Sequence, residues 1–181
     1  MTIAATFLLT ACGFVPNSQI STLSTAARYG DAPQIRQLVK EGADPNAPSG
    51  GNGWTPLLHA IHTHQNAAIV ALLDAGADVN RGDANGVTPL MMAAGYGYDD
   101  TVRLLLARGA DPRLKRPNGE TALDWAMSGM NDIDRMTFFD CQDSTAQLLH
   151  NAAPSVQPLA AARRWARIKR CGNLGATRSS R

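Results

Sequence analysis

Apolar residues in this chain recur at helical spacing in short paired runs. Leu57, Ala60 and Ile61 fall on one helical face, and Leu90, Ala93 and Ala94 repeat that face later in the chain. A second apolar run follows each: Ile69, Leu72 and Leu73 after the first, and Val102, Leu104, Leu105 and Leu106 after the second. The polar punctuation repeats with them. Asn52-Gly53-Trp54-Thr55-Pro56-Leu57 returns 33 residues later as Asn85-Gly86-Val87-Thr88-Pro89-Leu90. It returns again, at the same interval, as Asn118-Gly119-Glu120-Thr121-Ala122-Leu123. Gly76-Ala77-Asp78 and Gly109-Ala110-Asp111 close the first two copies. A weaker copy lies upstream, with Leu23, Ala26, Ala27 and Gly30 followed by Gly42-Ala43-Asp44. A fixed period of this size predicts stacked units and not one globular core.

Each unit has local reasons for its residues. Asn-Gly tolerates the positive φ of a tight turn. Thr55 and Thr88 can cap the helix that follows, and Pro56 and Pro89 suit its first turn. Small alanines let two helices approach closely. Gly76 and Gly109 end the second helix, where a left-handed residue is wanted. The unit is turn, helix, turn, helix, and one such pair cannot bury its apolar face alone, so neighbours must stack.

The period, the Gly-x-Thr-Pro-Leu pattern and the closing Gly-Ala-Asp resemble ankyrin repeats. The resemblance implies an all-α solenoid of about four helix-turn-helix units with hairpin loops, at about 21–50, 51–83, 84–116 and 117–153. It also implies a role in binding other macromolecules without catalysis. Leu58, Met91 and Asp124 replace the family's His after Thr-Pro-Leu, and His59 takes a slot usually filled by an apolar residue. Those departures are expected to weaken a side-chain hydrogen bond between neighbouring repeats. In the fourth copy Leu148-Leu149 arrives ten residues late, with the extra residues between Met130 and Asp143. A lengthened helix pair covering the open end of the stack is expected there; a functional finger is the alternative.

Composition narrows the class. The chain has 181 residues, 44% hydrophobic and 18% charged, which suits one short array. Its net charge of +2 hides an asymmetry. Residues 1–154 hold 10 basic and 15 acidic side chains, whereas residues 155–181 hold seven basic and no acidic ones. Leu159, Ala162, Trp165, Ala166 and Ile168 form a stripe along a basic helix at 154–172. It is expected to seal the last repeat as a C-terminal capping helix, the alternative being contact with anionic lipid or nucleic acid. Residues 173–181 are expected to be a disordered tail. No stretch of about 20 apolar residues is present to span a membrane.

The amino terminus carries a short apolar run, Ile3 to Ala11, then Cys12 and Gly13. Leu9-Thr10-Ala11-Cys12 resembles a bacterial lipobox. That resemblance implies a signal peptide at 1–11, lipidation of Cys12, a tether at 12–20 and a place on the periplasmic side of a membrane, the outer one favoured by Gly13. No Lys or Arg precedes the run, so an upstream start is one reading of Met1, and an apolar tail on a cytoplasmic protein is the alternative to export. With Cys12 lipidated, Cys141 and Cys171 remain as a pair, expected to form a disulfide in an exported protein.

Candidate chemistry is sparse. His59 and His62 share a helical face, but no third convergent ligand has metal spacing, and His64 replaces the turn glycine. Asp99-Asp100 opens a second helix, where negative charge suits the dipole. Asp132 and Asp134 read as a solvated loop. No phosphate loop and no Gly-x-Ser-x-Gly elbow occurs. No catalytic residue, metal or cofactor is therefore assigned. The expectation is a monomeric scaffold for another protein, with no nucleic acid. By position, its partner-binding surface would hold Arg28, Tyr29, Trp54, His62, Thr63, Ala84, Asn85, Val87, Tyr96 and Glu120. Among these, exposed Tyr29, Trp54 and Tyr96 would be the binding anchors, the equal alternative being rings that only shield neighbouring helices; Trp125 is assigned to the core. A cytoplasmic ankyrin adaptor, and more remotely a metal protein or enzyme using the His cluster or the insertion, are the competing functions.

Overall fold

The computed structural model describes residues 17–128, 143–160 and 162–163. Among these residues there are eight helices and no strand. They fall into pairs: α1 (Asn17–Tyr29) with α2 (Ala32–Lys40), α3 (Pro56–His62) with α4 (Asn66–Asp74), α5 (Pro89–Tyr96) with α6 (Asp99–Ala107), and α7 (Ala122–Ser128) with α8 (Asp143–Ala152). Helix α1 starts at Asn17, so the last four residues of the expected tether are helical.

The caps recur as the pattern requires. The Thr55 hydroxyl accepts the Leu58 N–H at 3.3 Å, and the Thr88 hydroxyl accepts that of Met91 at 3.2 Å. Each cap satisfies an N–H that the helix itself leaves unpaired. At the other end, Gly76 (φ +88°) and Gly109 (φ +89°) turn the chain out of α4 and α6. The N–H groups of Ala77 and Ala110 then bond back to Leu72 and Leu105, each at 2.9 Å.

The first helices stack in sequence, α1 on α3, α3 on α5 and α5 on α7, while α2 packs on α4 and α6 on α8. Leu23, Ile35, Leu57, Ile61, Ile69, Leu72, Leu90, Met91, Leu105 and Leu149 are fully buried in one continuous core. Each such side chain contributes about 1.5–3 kcal/mol by leaving water. Ala26, Ala27, Ala60, Ala93, Ala94 and Ala126 lie between the helices, where a larger side chain would force them apart.

Hydrogen bonds also run from unit to unit. Asn46 accepts the Asp78 N–H at 2.7 Å and donates to the Gly76 carbonyl at 3.2 Å. Asn80 repeats this with the Asp111 N–H at 2.8 Å and the Gly109 carbonyl at 3.2 Å. The next position in the series is Arg113, and the ladder stops there. In the last pair, Thr145 of α8 donates to the Asp99 carboxylate at the start of α6.

In the fourth unit Asp124, which stands in the family's His slot, makes a buried bridge of another kind, within its own unit and to the segment after α8. Its Oδ2 accepts the Thr121 N–H at 2.8 Å and the Thr121 hydroxyl at 2.7 Å, and its Oδ1 accepts the Leu159 N–H at 2.5 Å. A carboxylate has enough lone pairs to serve both sides at once. Beyond it, Ala162 is buried in the core, whereas Leu159 is 37% exposed, so at Leu159 the backbone makes the join and not the side chain. The insertion at 131–143, apart from Asp143, which opens α8, and the rest of the basic 154–172 segment after Arg163 lie outside the described residues.

Candidate functional site

The expected binding residues lie on the first helices and on the hairpins that precede them. Trp54 sits immediately before the Thr55 cap, which sends its ring along α3. The ring meets His59 edge-on at 5.3 Å between centroids and His62 at 5.0 Å. The indole N–H donates to Asp83 Oδ2 at 3.2 Å. The other Asp83 oxygen accepts the N–H groups of Asn85 and Val87, both at 2.8 Å. Trp54 is thus a half-buried strut joining two successive hairpins. Asp83 was not among the expected residues, although a carboxylate two positions before Asn-Gly is a turn-forming pattern visible in sequence.

From Trp54 the aromatic contacts continue into the next unit. His62 Nδ1 lies 2.7 Å from the Tyr96 hydroxyl. Tyr96 stacks on Tyr98 at 5.2 Å, and Tyr98 stacks on His64 at 3.9 Å with the rings 9° from parallel. Tyr98 was missed because it follows the helix and belongs to no repeat signature. The structure therefore brings Trp54, His62 and Tyr96 into one run.

Two residues expected on the open surface are not there. Tyr96 is only 5% exposed and Val87 7%. The close approach allowed by Ala93 and Ala94 puts the Tyr96 ring between His62 and Tyr98, and Val87 turns inward beneath a hairpin whose N–H groups Asp83 holds. Arg28, Tyr29, Ala84 and Asn85 are exposed, Tyr29 by 76%; Trp54, His62, Thr63 and Glu120 are half-buried. Thr63 donates to the Arg28 carbonyl at 2.9 Å, tying α3 to the end of α1.

At the third hairpin Glu120 pairs with Arg116 at 2.8 Å and accepts the Trp125 indole N–H at 3.1 Å. Burial pushes the Glu120 carboxyl up, but hydrogen bonds with Asn118, Trp125 and Arg116, and the Arg116 charge, together hold it below its ordinary value. Trp125 is half-buried, packs against the core and lies beneath the Arg116 guanidinium, 5.4 Å from its ring centroid.

The histidines divide. His59 Nε2 lies 3.0 Å from the Ser49 hydroxyl, which donates to the Ser24 hydroxyl at 2.7 Å. Burial first, then the charges of Arg28 and His62, lower the His59 pKa from 6.5 to about 4. The ring is therefore neutral at pH 7. The buried Nδ1 of His59 has no hydrogen-bond partner among the described residues. His64 points away from this pair, onto Tyr98. Among the described residues no cluster of three or more His, Cys, Asp or Glu could hold a metal, and no helix is long and apolar enough to cross a membrane. Cys12, Cys141, Cys171, Asp132 and Asp134 lie outside the described residues.

A family model described as ankyrin repeats (3 copies) matches residues 23–116 of the 181. The chain is similar to the human mitochondrial disaggregase, with 40% identity over 68 residues, covering 38% of this chain and 10% of that protein. It is similar to the 2-5A-dependent ribonuclease of Mus musculus, with 38% identity over 65 residues, covering 36% of this chain and 9% of that protein. It is also similar to the phosphate system positive regulatory protein PHO81 of Saccharomyces cerevisiae, with 37% identity over 67 residues, covering 36% of this chain and 6% of that protein. The chain thus spans a tenth or less of the length of these relatives.

Proposed function

The chain belongs to the ankyrin-repeat family, and on that premise we propose that it is an exported scaffold, anchored by lipid on Cys12, that binds a periplasmic or envelope protein. The ankyrin repeat is a non-catalytic interaction module, and the relatives above are much larger proteins that share only these repeats. Their activities are not carried over. The array of stacked pairs supports the scaffold role, because it presents a run of side chains along its first helices and hairpins. The lipobox-like Leu9-Thr10-Ala11-Cys12 supports the anchor. The partner is a toxin or envelope enzyme that this protein inhibits, neutralises or steadies. Export oxidises Cys141 and Cys171 to a disulfide, and the protein acts as a monomer. The excess of acidic over basic side chains in residues 1–154 disfavours nucleic acid.

Fractionation with crosslinking tests both parts. The native chain is expected in the membrane fraction, and Cys12→Ser in the soluble periplasm. Crosslinked envelope extracts are expected to yield a protein partner that is lost with Trp54→Ala. A native chain that stays in the cytoplasm removes export and anchoring. Turnover of a small substrate by the purified chain, abolished by one polar substitution, removes the scaffold reading.

A further inference from the structure

The end of α1 differs from the corresponding ends of α3 and α5. The repeat spacing places Tyr29, Thr63 and Tyr96 in one slot, and Arg28 and His62 in another. Thr63 is engaged with the Arg28 carbonyl, and Tyr96 is buried between His62 and Tyr98. Tyr29 is left 76% exposed, the largest such apolar surface among the described residues. Beside it Arg28 is exposed and makes no ion pair among the described residues. Trp54 and His62, in contact with each other, are half-buried in the following unit.

The charges acting on the neighbouring His59 ring are those of Arg28 and His62, both unfavourable to its protonation. Two carboxylates at neighbouring positions are hydrogen-bonded within the fold. Asp83 holds the Trp54 indole and two hairpin N–H groups, and Asp31 caps α2 through the Gln34 N–H at 3.0 Å. A guanidinium with no ion pair among the described residues, next in sequence to an exposed aromatic ring, can take a carboxylate that adjoins an apolar side chain.

We propose that Arg28 and Tyr29, at the end of α1, form the seat for an acidic segment of the protein partner, its carboxylate on the Arg28 guanidinium and an adjoining apolar side chain on the Tyr29 ring. This deepens the scaffold reading and rests on it. The occupant is not this chain's own terminal segment, because residues 155–181 hold seven basic and no acidic side chains. A nucleic acid backbone needs several cations in a row, whereas Arg28 is a single exposed guanidinium on a body with more acidic than basic side chains.

The test is fluorescence anisotropy on the full chain with three labelled probes: a heptapeptide alternating Glu and Phe, its Lys-for-Glu counterpart, and a thymidine heptamer. Saturable binding of the Glu–Phe peptide alone is expected, weakening as salt rises. Arg28→Glu is expected to weaken it by about tenfold or more and Tyr29→Ala by several-fold, while Arg28→Lys retains most of it. Arg103→Glu, an exposed charge on α6, is expected to leave it unchanged. Thr63 bonds the Arg28 backbone carbonyl and not its side chain, so these variants should keep the native melting temperature, which is checked alongside. No saturable binding of the Glu–Phe peptide, equal binding by Arg28→Glu, or equal binding of the Lys peptide or the oligonucleotide overturns the proposal. Crosslinking to an envelope partner that survives Arg28→Glu but not Trp54→Ala would remove this seat and leave the scaffold reading standing.

Discussion

Oδ1 of Asp124 accepts the backbone N–H of Leu159 at 2.5 Å, while its Oδ2 holds Thr121. One buried carboxylate therefore caps α7 and latches the segment that follows α8 against it. Asp124→Ala would leave two N–H groups and a hydroxyl without their partner. The expected loss is about 3 kcal/mol in urea unfolding. Asp124→Asn can still serve Thr121, but its amide nitrogen then faces the Leu159 N–H. It is expected to lose less global stability while hydrogen exchange at Leu159 speeds up. Unchanged exchange in both variants would show that the latch does not hold.

The Trp54–Asp83 strut should behave as a coupled pair. Trp54→Phe removes only the indole N–H and part of the ring, with an expected cost of about 1 kcal/mol. Asp83→Ala also frees the Asn85 and Val87 N–H groups at the hairpin, with an expected cost of about 2 kcal/mol. A double-mutant cycle should show a coupling of about 0.5–1 kcal/mol. Strict additivity would mean that the hydrogen bond contributes nothing.

His59 should make stability depend on pH. Its folded pKa of about 4 lies below the ordinary 6.5, so between those values the unfolded chain binds more protons. The stability is fully present above about pH 6.5 and is lost as pH falls toward 4. With a discount for partial solvent access, the expected loss is roughly 1–2 kcal/mol. The ring faces Ser49, Trp54, Arg28 and His62, none of which offers a carboxylate. His59→Leu should flatten this part of a denaturation series run against pH. An equal slope in His59→Leu would assign the dependence to another group.

His64 carries φ +56° in a slot where the corresponding turns have Gly30 and Gly97. The left-handed backbone costs a residue with a Cβ about 1 kcal/mol, and stacking on Tyr98 returns a similar amount. His64→Gly should therefore be close to neutral, because strain and stack disappear together. His64→Ala keeps the strain and loses the stack, with an expected cost of about 1 kcal/mol. Thermal melts that rank alanine above glycine would contradict this account.

The residues legible in sequence are those whose role is local. Thr55 and Thr88 cap because a hydroxyl one residue before a helix reaches the N–H three positions on, whatever lies around it. Gly76 and Gly109 end helices because a left-handed residue without a Cβ is unstrained there. Leu57 and Leu90 are core because helical spacing puts them on the stacking face. Together these residues determined the period, the paired helices and the stack.

Only the stacking itself decided which side chains stay open. Tyr29 and Tyr96 occupy the same repeat slot, yet one is exposed and the other buried, because Tyr96 meets His62 and Tyr98 and Tyr29 does not. Asp124 reads in sequence as a missing link, but it becomes a link once Leu159 folds back upon it. His59 shows a polar ring in an apolar slot; its neutral state comes from burial and from the charges of Arg28 on α1 and His62 on its own helix. Contacts between units depend on the distance and angle between helices, and no spacing along the chain encodes either.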